Sequence, residues 1–267
     1  LRPHHARHLA RRAALEGADL VVAAGGDGTI HEVVNGLFDA AIGRRAGSRL
    51  GVVDGGTGSG FAESLGLPPT PEAQVALLEH TRAKPLDLGC LACASIDHRP
   101  VCRVYVSECH VGLGAVVCAR LDRHAKRLGG RLGFGLTALA TGLLYRGTTL
   151  EITLDGGPPI TQRLLGLVVA NGSRCGGGMR LAPDARLDDG LLDVVLIHDM
   201  PIGRRVGFLR RVYRGTHVDG VRCSVLQARR LRVRAARPVP VAADGQVIGV
   251  TTLDLEVLPH AIGVLRP

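Results

Sequence analysis

Tryptophan is absent from the 267 residues, and Phe, Trp and Tyr together make up 3%. A core built from this chain must be aliphatic, and the aromatic platforms on which proteins stack nucleic-acid bases are scarce. Lysine is almost as scarce, since Lys84 and Lys126 are the only two, and arginine supplies the rest of the positive charge. No run approaches the roughly 18 apolar residues of a membrane-spanning helix. The longest weakly polar stretch, Leu132 to Tyr145, is interrupted by Gly133, Gly135 and Gly142. The opening residues Leu1-Arg2-Pro3-His4-His5 carry no apolar core of the signal-peptide kind, so a cytoplasmic location is expected. Seven cysteines are an odd number in a chain too large to need disulfide staples. Cys90 and Cys93 form one C-x-x-C with no second pair at zinc spacing, and they read as two residues of a strand.

What is present is an ordinary globular composition, 46% hydrophobic and 21% charged, with a net charge of +9 that is unevenly placed. Residues 1–86 hold nine Lys/Arg and nine Asp/Glu, and the rest of the chain holds 24 against 15. A basic second part suits an anionic membrane surface or nucleic acid. A general preference for arginine would give the same excess. The lack of interleaved aromatics and of any recognised binding motif argues against nucleic acid. Peripheral contact with an anionic membrane is therefore the expected partner surface, through Arg120, Arg123, Lys126, Arg127 and Arg131 and through Arg204, Arg205, Arg210, Arg211 and Arg214.

Hydrophobic spacing predicts a helix over 4–16, a buried strand over Ala18 to Ala24, a helix over Ile30 to Phe38 and a strand over Leu50 to Val53. Helices at Phe61 to Leu65 and Pro71 to His80 complete an α/β alternation with a parallel sheet. Beyond Pro85 the rhythm becomes mainly β, with strands at 101–106, 150–154, 164–170, 191–197, 231–235 and 253–257 and one helical section from about Val117 to Leu144. The boundary is expected near Lys84-Pro85, giving an α/β domain over 1–86 and a mainly β domain over 87–255.

Gly25-Gly26-Asp27-Gly28-Thr29 lies between a predicted strand and a predicted helix. Glycines there let backbone amides approach a phosphate, and the helix N-terminus adds favourable partial charge. An aspartate among phosphates repels them unless a cation intervenes, which points to Mg²⁺. The loop does not fit G-x-x-x-x-G-K-[ST]. Thr57, inside Gly55-Gly56-Thr57-Gly58, occupies a second glycine-rich turn after a strand.

The longer string Gly25-Gly26-Asp27-Gly28-Thr29-Ile30-His31-Glu32-Val33-Val34-Asn35-Gly36-Leu37 resembles the nucleotide-binding signature of the diacylglycerol kinase catalytic family. A second string, Asn171-Gly172, Gly176-Gly177-Gly178-Met179 and Ala182-Pro183-Asp184-Ala185-Arg186-Leu187-Asp188-Asp189-Gly190-Leu191-Leu192-Asp193, looks like the bacterial branch. NAD kinases share the G-G-D-G-T core but are not expected to carry the second string. The resemblance implies an α/β nucleotide-binding lobe and a β-sandwich-like lipid lobe, with residues 256–267 returning to the first. It implies ATP and Mg²⁺ as cofactors and a lipid hydroxyl as acceptor. Gly25, Gly26, Asp27, Gly28, Thr29, Gly56, Thr57 and Gly58 would hold the nucleotide. Asp189, with carbonyls of Arg186 and Leu191, would hold a structural Mg²⁺. Asp244, in Asp244-Gly245-Gln246, would be the general base.

The chain departs from the family pattern at three points. Ser59-Gly60 stands where Asn-Asp is usual, Gln246 replaces a glutamate, and only 24 residues precede Gly25, so a first strand is expected to be missing. These departures keep open an alternative, a non-catalytic nucleotide- or lipid-binding member of the same family.

Overall fold

The computed structural model describes residues 5–39, 44–45, 47–56, 58–124, 130–175 and 177–267, without the side chains of 39, 44–45, 122–124, 130–135 and 138. The first third runs α1 (His5–Leu15), β1 (Leu20–Gly25), α2 (Asp27–Leu37), the short β2 (Phe38–Asp39) and β3 (Arg44–Arg45), β4 (Arg49–Asp54), α3 (Gly60–Ser64) and α4 (Pro71–His80). β1 and β4 pair in parallel, Leu20 opposite Arg49 through Gly25 opposite Asp54, so both glycine-rich turns leave the C-terminal ends of neighbouring strands. Pro71 at the first helical position and the Thr70 hydroxyl, which accepts from the Ala73 amide, set the start of α4.

The remainder contains β5 (Ala83–Ala94), β6 (Pro100–Tyr105), β7 (Glu108–Gly112), α5 (Leu113–His124), α6 (Gly130–Leu144), β8 (Thr148–Leu154), β9 (Ile160–Ala170), β10 (Leu192–His198), α7 (Ile202–Arg214), β11 (Cys223–Ala228), β12 (Arg230–Ala235), β13 (Pro240–Ala243) and β14 (Gln246–Leu265). The antiparallel ladders β14–β12, β12–β8, β8–β9, β9–β7, β7–β13 and β13–β14 close a circuit, which leaves those strands no open edge within it. Its interior is aliphatic, with Leu150, Ile152, Leu167, Val169, Val233, Val241 and Leu253 all buried.

β14 is twenty residues long and serves both lobes. Its early residues pair with β13 and its later ones with β5, and Val264 pairs in parallel with Leu50 of β4. The core of the first lobe accordingly mixes Ile30, Val34, Leu50 and Phe61 with Leu86, Leu88, Ile262 and Val264. A third cluster lies on the outer face of β9 and β10, where α7 brings Phe208 and Val212 against Val168, Val195 and Ile197.

Several expectations need correction. α2 begins at Asp27 rather than Ile30, so Asp27, Gly28 and Thr29 form the first turn of a helix and not a loop before it. The helical section expected at 117–144 covers two helices, α5 and α6, with 125–129 outside the described residues. α7 had no counterpart in the sequence reading. Gly203, Gly207 and five arginines mask an apolar side whose buried residues are Phe208 and Val212.

Candidate active site

The phosphate loop is shaped by two close approaches. Gly25 has φ of +152°, and a Cβ there would lie 2.6 Å from Thr29 Oγ1. A Cβ on Gly56 would lie 2.5 Å from the Gly26 Cα, so the two glycine-rich turns touch backbone to backbone. Gly26 caps α2 in an extended conformation, its carbonyl accepting from the Thr29 and Ile30 amides, and the amides of Asp27 and Gly28 at the very start of the helix are left for an anion. Gly58 lies on the other side of that gap, its carbonyl accepting from the Gly177 amide. Thr57 lies outside the described residues.

Asp27 sits in this gap, where its Oδ1 accepts from the Phe61 amide at 3.3 Å. Burial raises its pKa above the ordinary value, and the charges of Asp244 and Asp54 push the same way against the opposing Phe61 and Gly60 amides. A crowded carboxylate at a phosphate-type loop is a site a cation relieves, so Asp27 fits Mg²⁺ carried with a nucleotide.

Asp244 comes from the far end of the chain. Asp244 and Gly245 have φ of 44° and 79°, a tight turn between β13 and β14 that leaves Ala243 opposite Gln246. The turn aims the Asp244 carboxylate inward, where it is 4% exposed. Oδ1 accepts from the amides of Ser107 at 2.9 Å and Glu108 at 3.3 Å. Oδ2 accepts from the Val106 amide at 3.0 Å and from His31 Nδ1–H at 2.8 Å. His31, also buried, is held on α2 beside Asn35, which bonds both the amide and the carbonyl of Val104. Gln246 donates from Nε2 to the Gly28 carbonyl at 3.4 Å, a bond the family's glutamate has no hydrogen to make.

Asp27, Gly28, Gly58, Asp244 and Gln246 line one cavity of about 540 Å³. The rest of its wall is largely aliphatic, from Leu139 and Leu143 of α6, Leu165 of β9, Ile197 of β10 and Phe208 and Leu209 of α7. That volume is in the range of small-molecule sites, roughly 300–1,000 Å³. Three ionisable residues interrupt the apolar wall. Arg205 of α7 is taken up by the Gly142 and Tyr145 carbonyls and Asp199. The others are Glu108 and His110 of β7, with Glu108 Oε1 3.7 Å from His110 Nε2. Burial pushes the Glu108 pKa up to about 7, against the opposing pull of His110. The sequence reading passed over His31, Ser107, Glu108 and His110. The signal available for the last two was two ionisable residues at alternate positions of an apolar β run.

Asp189, Arg186 and Leu191 lie away from this cavity, in the turn before β10. Asp189 is exposed and its Oδ1 accepts from the Leu191 amide at 3.0 Å. Asp87, fully buried, holds the turn by accepting from the amides of Gly190 and His260 at 2.6 Å each. Burial pushes Asp193 up to about 6, and the charges of Asp189 and Asp184 add to it. An acid-crowded turn with a free Asp189 oxygen fits a hydrated Mg²⁺. No group of three or more His, Cys, Asp or Glu side chains among the described residues is placed to hold a metal unaided.

A parallel strand pair bearing two glycine-rich turns, joined through one long strand to a closed β lobe, defines a two-lobe α/β architecture with a phosphate-type loop. The comparisons place the chain within a family. Residues 1–91 match the diacylglycerol kinase catalytic domain, and residues 107–266 match the YegS C-terminal NAD kinase beta sandwich-like domain. A Pseudomonas aeruginosa (strain UCBPP-PA14) protein named "Probable lipid kinase YegS-like" is 32% identical over 98% of this chain and 81% of its own length. The "Diacylglycerol kinase" of Bacillus subtilis (strain 168) is 29% identical over 98% of this chain and 82% of its own. The fold matches the crystal structure of a diacylglycerol kinase from Bacillus anthracis str. Sterne, with a TM-score of 0.73 at 20% identity over 100% of this chain and 83% of that one. The chain belongs to the diacylglycerol kinase catalytic family, and it is a lipid kinase, a phosphotransferase.

Proposed function

We propose that this protein transfers the γ-phosphoryl group of ATP, carried with Mg²⁺, to the hydroxyl of a diacylglycerol-like lipid. The observation that carries the reading is the single cavity with the phosphate-type loop and Asp244 at one end and an aliphatic wall over the rest. The amides of Gly26, Asp27 and Gly28, with Gly25, Thr29 and the Gly56–Gly58 turn, hold the phosphates. Asp27 holds the magnesium, which supplies charge neutralisation at the transferring phosphoryl group. Asp244 takes the proton of the lipid hydroxyl as its oxygen bonds to the γ-phosphorus and the bridging oxygen leaves with ADP. All four acceptor positions of Asp244 are occupied, three by backbone amides, so the hydroxyl replaces the one side-chain donor, His31. Asp189, with the carbonyls of Arg186 and Leu191, holds a second Mg²⁺ that stiffens the turn before β10.

The lipid arrives from an anionic membrane surface. α6 and α7 line the cavity with Leu139, Leu143, Phe208 and Leu209, and they expose Leu136, Leu144, Ile202, Val206 and Tyr213. Arg204, Arg210 and Arg214 are exposed on the same helix α7, a basic and apolar mixture suited to a bilayer interface. Arg205 and Arg211 are taken up internally, by Asp199 and by Asp219. Arg120 bonds Thr141, and the side chains of Arg123, Lys126, Arg127 and Arg131 lie outside the described residues. No described helix is long and apolar enough to cross a membrane.

Incubation with labelled ATP, Mg²⁺ and mixed lipid–detergent micelles tests the reading. Labelled lipid that disappears on chelation of Mg²⁺ is expected. Binding of ATP or lipid without any labelled product would identify a non-catalytic member of the family instead.

A further inference from the structure

Glu108 and His110 are out of place on the wall they share. Along β7, Cys109 and Val111 join the aliphatic interior of the β lobe, and Glu108 and His110 face the other way into the cavity. Their ladder partners on β9 are Ala170 and Val168. Glu108 is 6% exposed, and its Oε2 has no hydrogen-bond partner among the described residues, nor has His110 Nδ1. A buried carboxyl with a bare oxygen costs stability, and an acyl chain needs nothing from it. Its position is beside the reacting centre, because the Glu108 amide donates to Asp244 Oδ1 at 3.3 Å and its carbonyl accepts from the Asp244 amide at 3.0 Å.

We propose that Glu108 binds a second hydrogen-bond donor on the acceptor headgroup, a hydroxyl or ammonium neighbouring the hydroxyl that is phosphorylated. This rests on the lipid kinase reading and narrows its substrate class. Above about pH 7 Glu108 is ionised and only accepts, so a diacylglycerol, whose ester carbonyls are further acceptors beside its single hydroxyl, leaves Oε2 unpaired. A diol or amino-alcohol lipid supplies the missing donor. Sites built around a buried polar group discriminate strongly against the analogue that lacks its partner.

The test compares 1,2-dioleoylglycerol, 1-monooleoylglycerol and a long-chain 2-amino-1-alkanol in mixed micelles, with kcat/KM measured for the parent protein, Glu108→Leu and Glu108→Gln. The parent should prefer at least one donor-bearing lipid by about 10–100-fold, the range of a hydrogen bond to a charged group. Glu108→Leu, which suits the apolar wall, should bring that ratio close to one. Glu108→Gln should keep part of a preference for the diol and lose one for the amino alcohol. A parent that prefers dioleoylglycerol, or a ratio untouched by Glu108→Leu, overturns the proposal. If no lipid is phosphorylated the kinase reading fails separately. The same three lipids competing against a bound fluorescent fatty acid then give the ratio, and equal competition overturns the Glu108 assignment.

Discussion

Glu108→Gln should make the protein more stable than its parent in alkaline solution and leave the two equal in acid. Burial raises the Glu108 pKa from 4.5 to about 7, and the charges of Asp244 and Asp27 add to this against the pull of His110. The folded state therefore holds this proton over a range where the unfolded chain has already released it. The stabilisation is complete below about pH 4.5 and is lost as pH rises through about 7. At about 1.4 kcal/mol per pH unit, the interval corresponds to about 3 kcal/mol. Glutamine has nearly the same shape and does not titrate, so the variant escapes this loss. Asp27 and Asp193 are also raised by burial, but they are present in both proteins and cancel in the difference. Urea unfolding of both proteins from about pH 5 to pH 8 measures the difference directly, provided the m-values agree. A gain for the variant of about 3 kcal/mol across that interval is expected. A flat difference would show that His110 holds Glu108 ionised throughout, and the argument from burial would fail.

Asp244→Asn should lower lipid phosphorylation by about 10²–10⁴-fold with ATP affinity retained, and turnover within a factor of three of the parent would remove Asp244 from the role of base. The same variant turns an amide N–H₂ toward backbone donors, so a loss of about 1–3 kcal/mol in urea unfolding is expected beside the kinetic effect. Asp27→Ala should shift the unliganded thermal midpoint little and abolish the stabilisation by Mg·ATP; a variant still stabilised by Mg·ATP would refute the metal-holding role. Gly56→Ala drives a methyl group to 2.5 Å from the Gly26 Cα, must part the two turns, and should weaken ATP binding at least tenfold in calorimetry. Replacing Arg204, Arg210 and Arg214 together by glutamate should abolish low-salt sedimentation with anionic vesicles, since each arginine contributes about 1 kcal/mol there; equal sedimentation of the parent with neutral and anionic vesicles would mean the charge is compositional.

Much of the first lobe was legible because its signals are local. β1 and β4 are short apolar runs closed by glycines, and a phosphate loop is a property of consecutive backbone amides, so Gly25 to Thr29 can be recognised without a fold. The start of α2 was misplaced because Gly28 reads as a turn residue, whereas at the first helical turn its amide needs no partner within the helix. β14 showed as five residues of twenty. Its first part is half-buried and alternates weakly, and its end lies in another lobe where different neighbours decide what is buried.

The sequence by itself determined the alternation of the first lobe, the mainly β character of the second and the motif residues that mark a kinase of this family. These depend on spacing within one element or one turn. The tertiary structure decided what those residues meet. Asp244 reads as one half of an Asp-Gly turn until β13 and β14 carry it to His31, 213 positions away in the chain, and to the amides of Val106, Ser107 and Glu108. Glu108, two residues beyond the strand expected at 101–106, carries no signal of its own until the ladder with β9 turns it onto an aliphatic wall. Burial and the choice of neighbour set the proton affinity of an acid, and both arise from contacts between distant segments that no local pattern encodes.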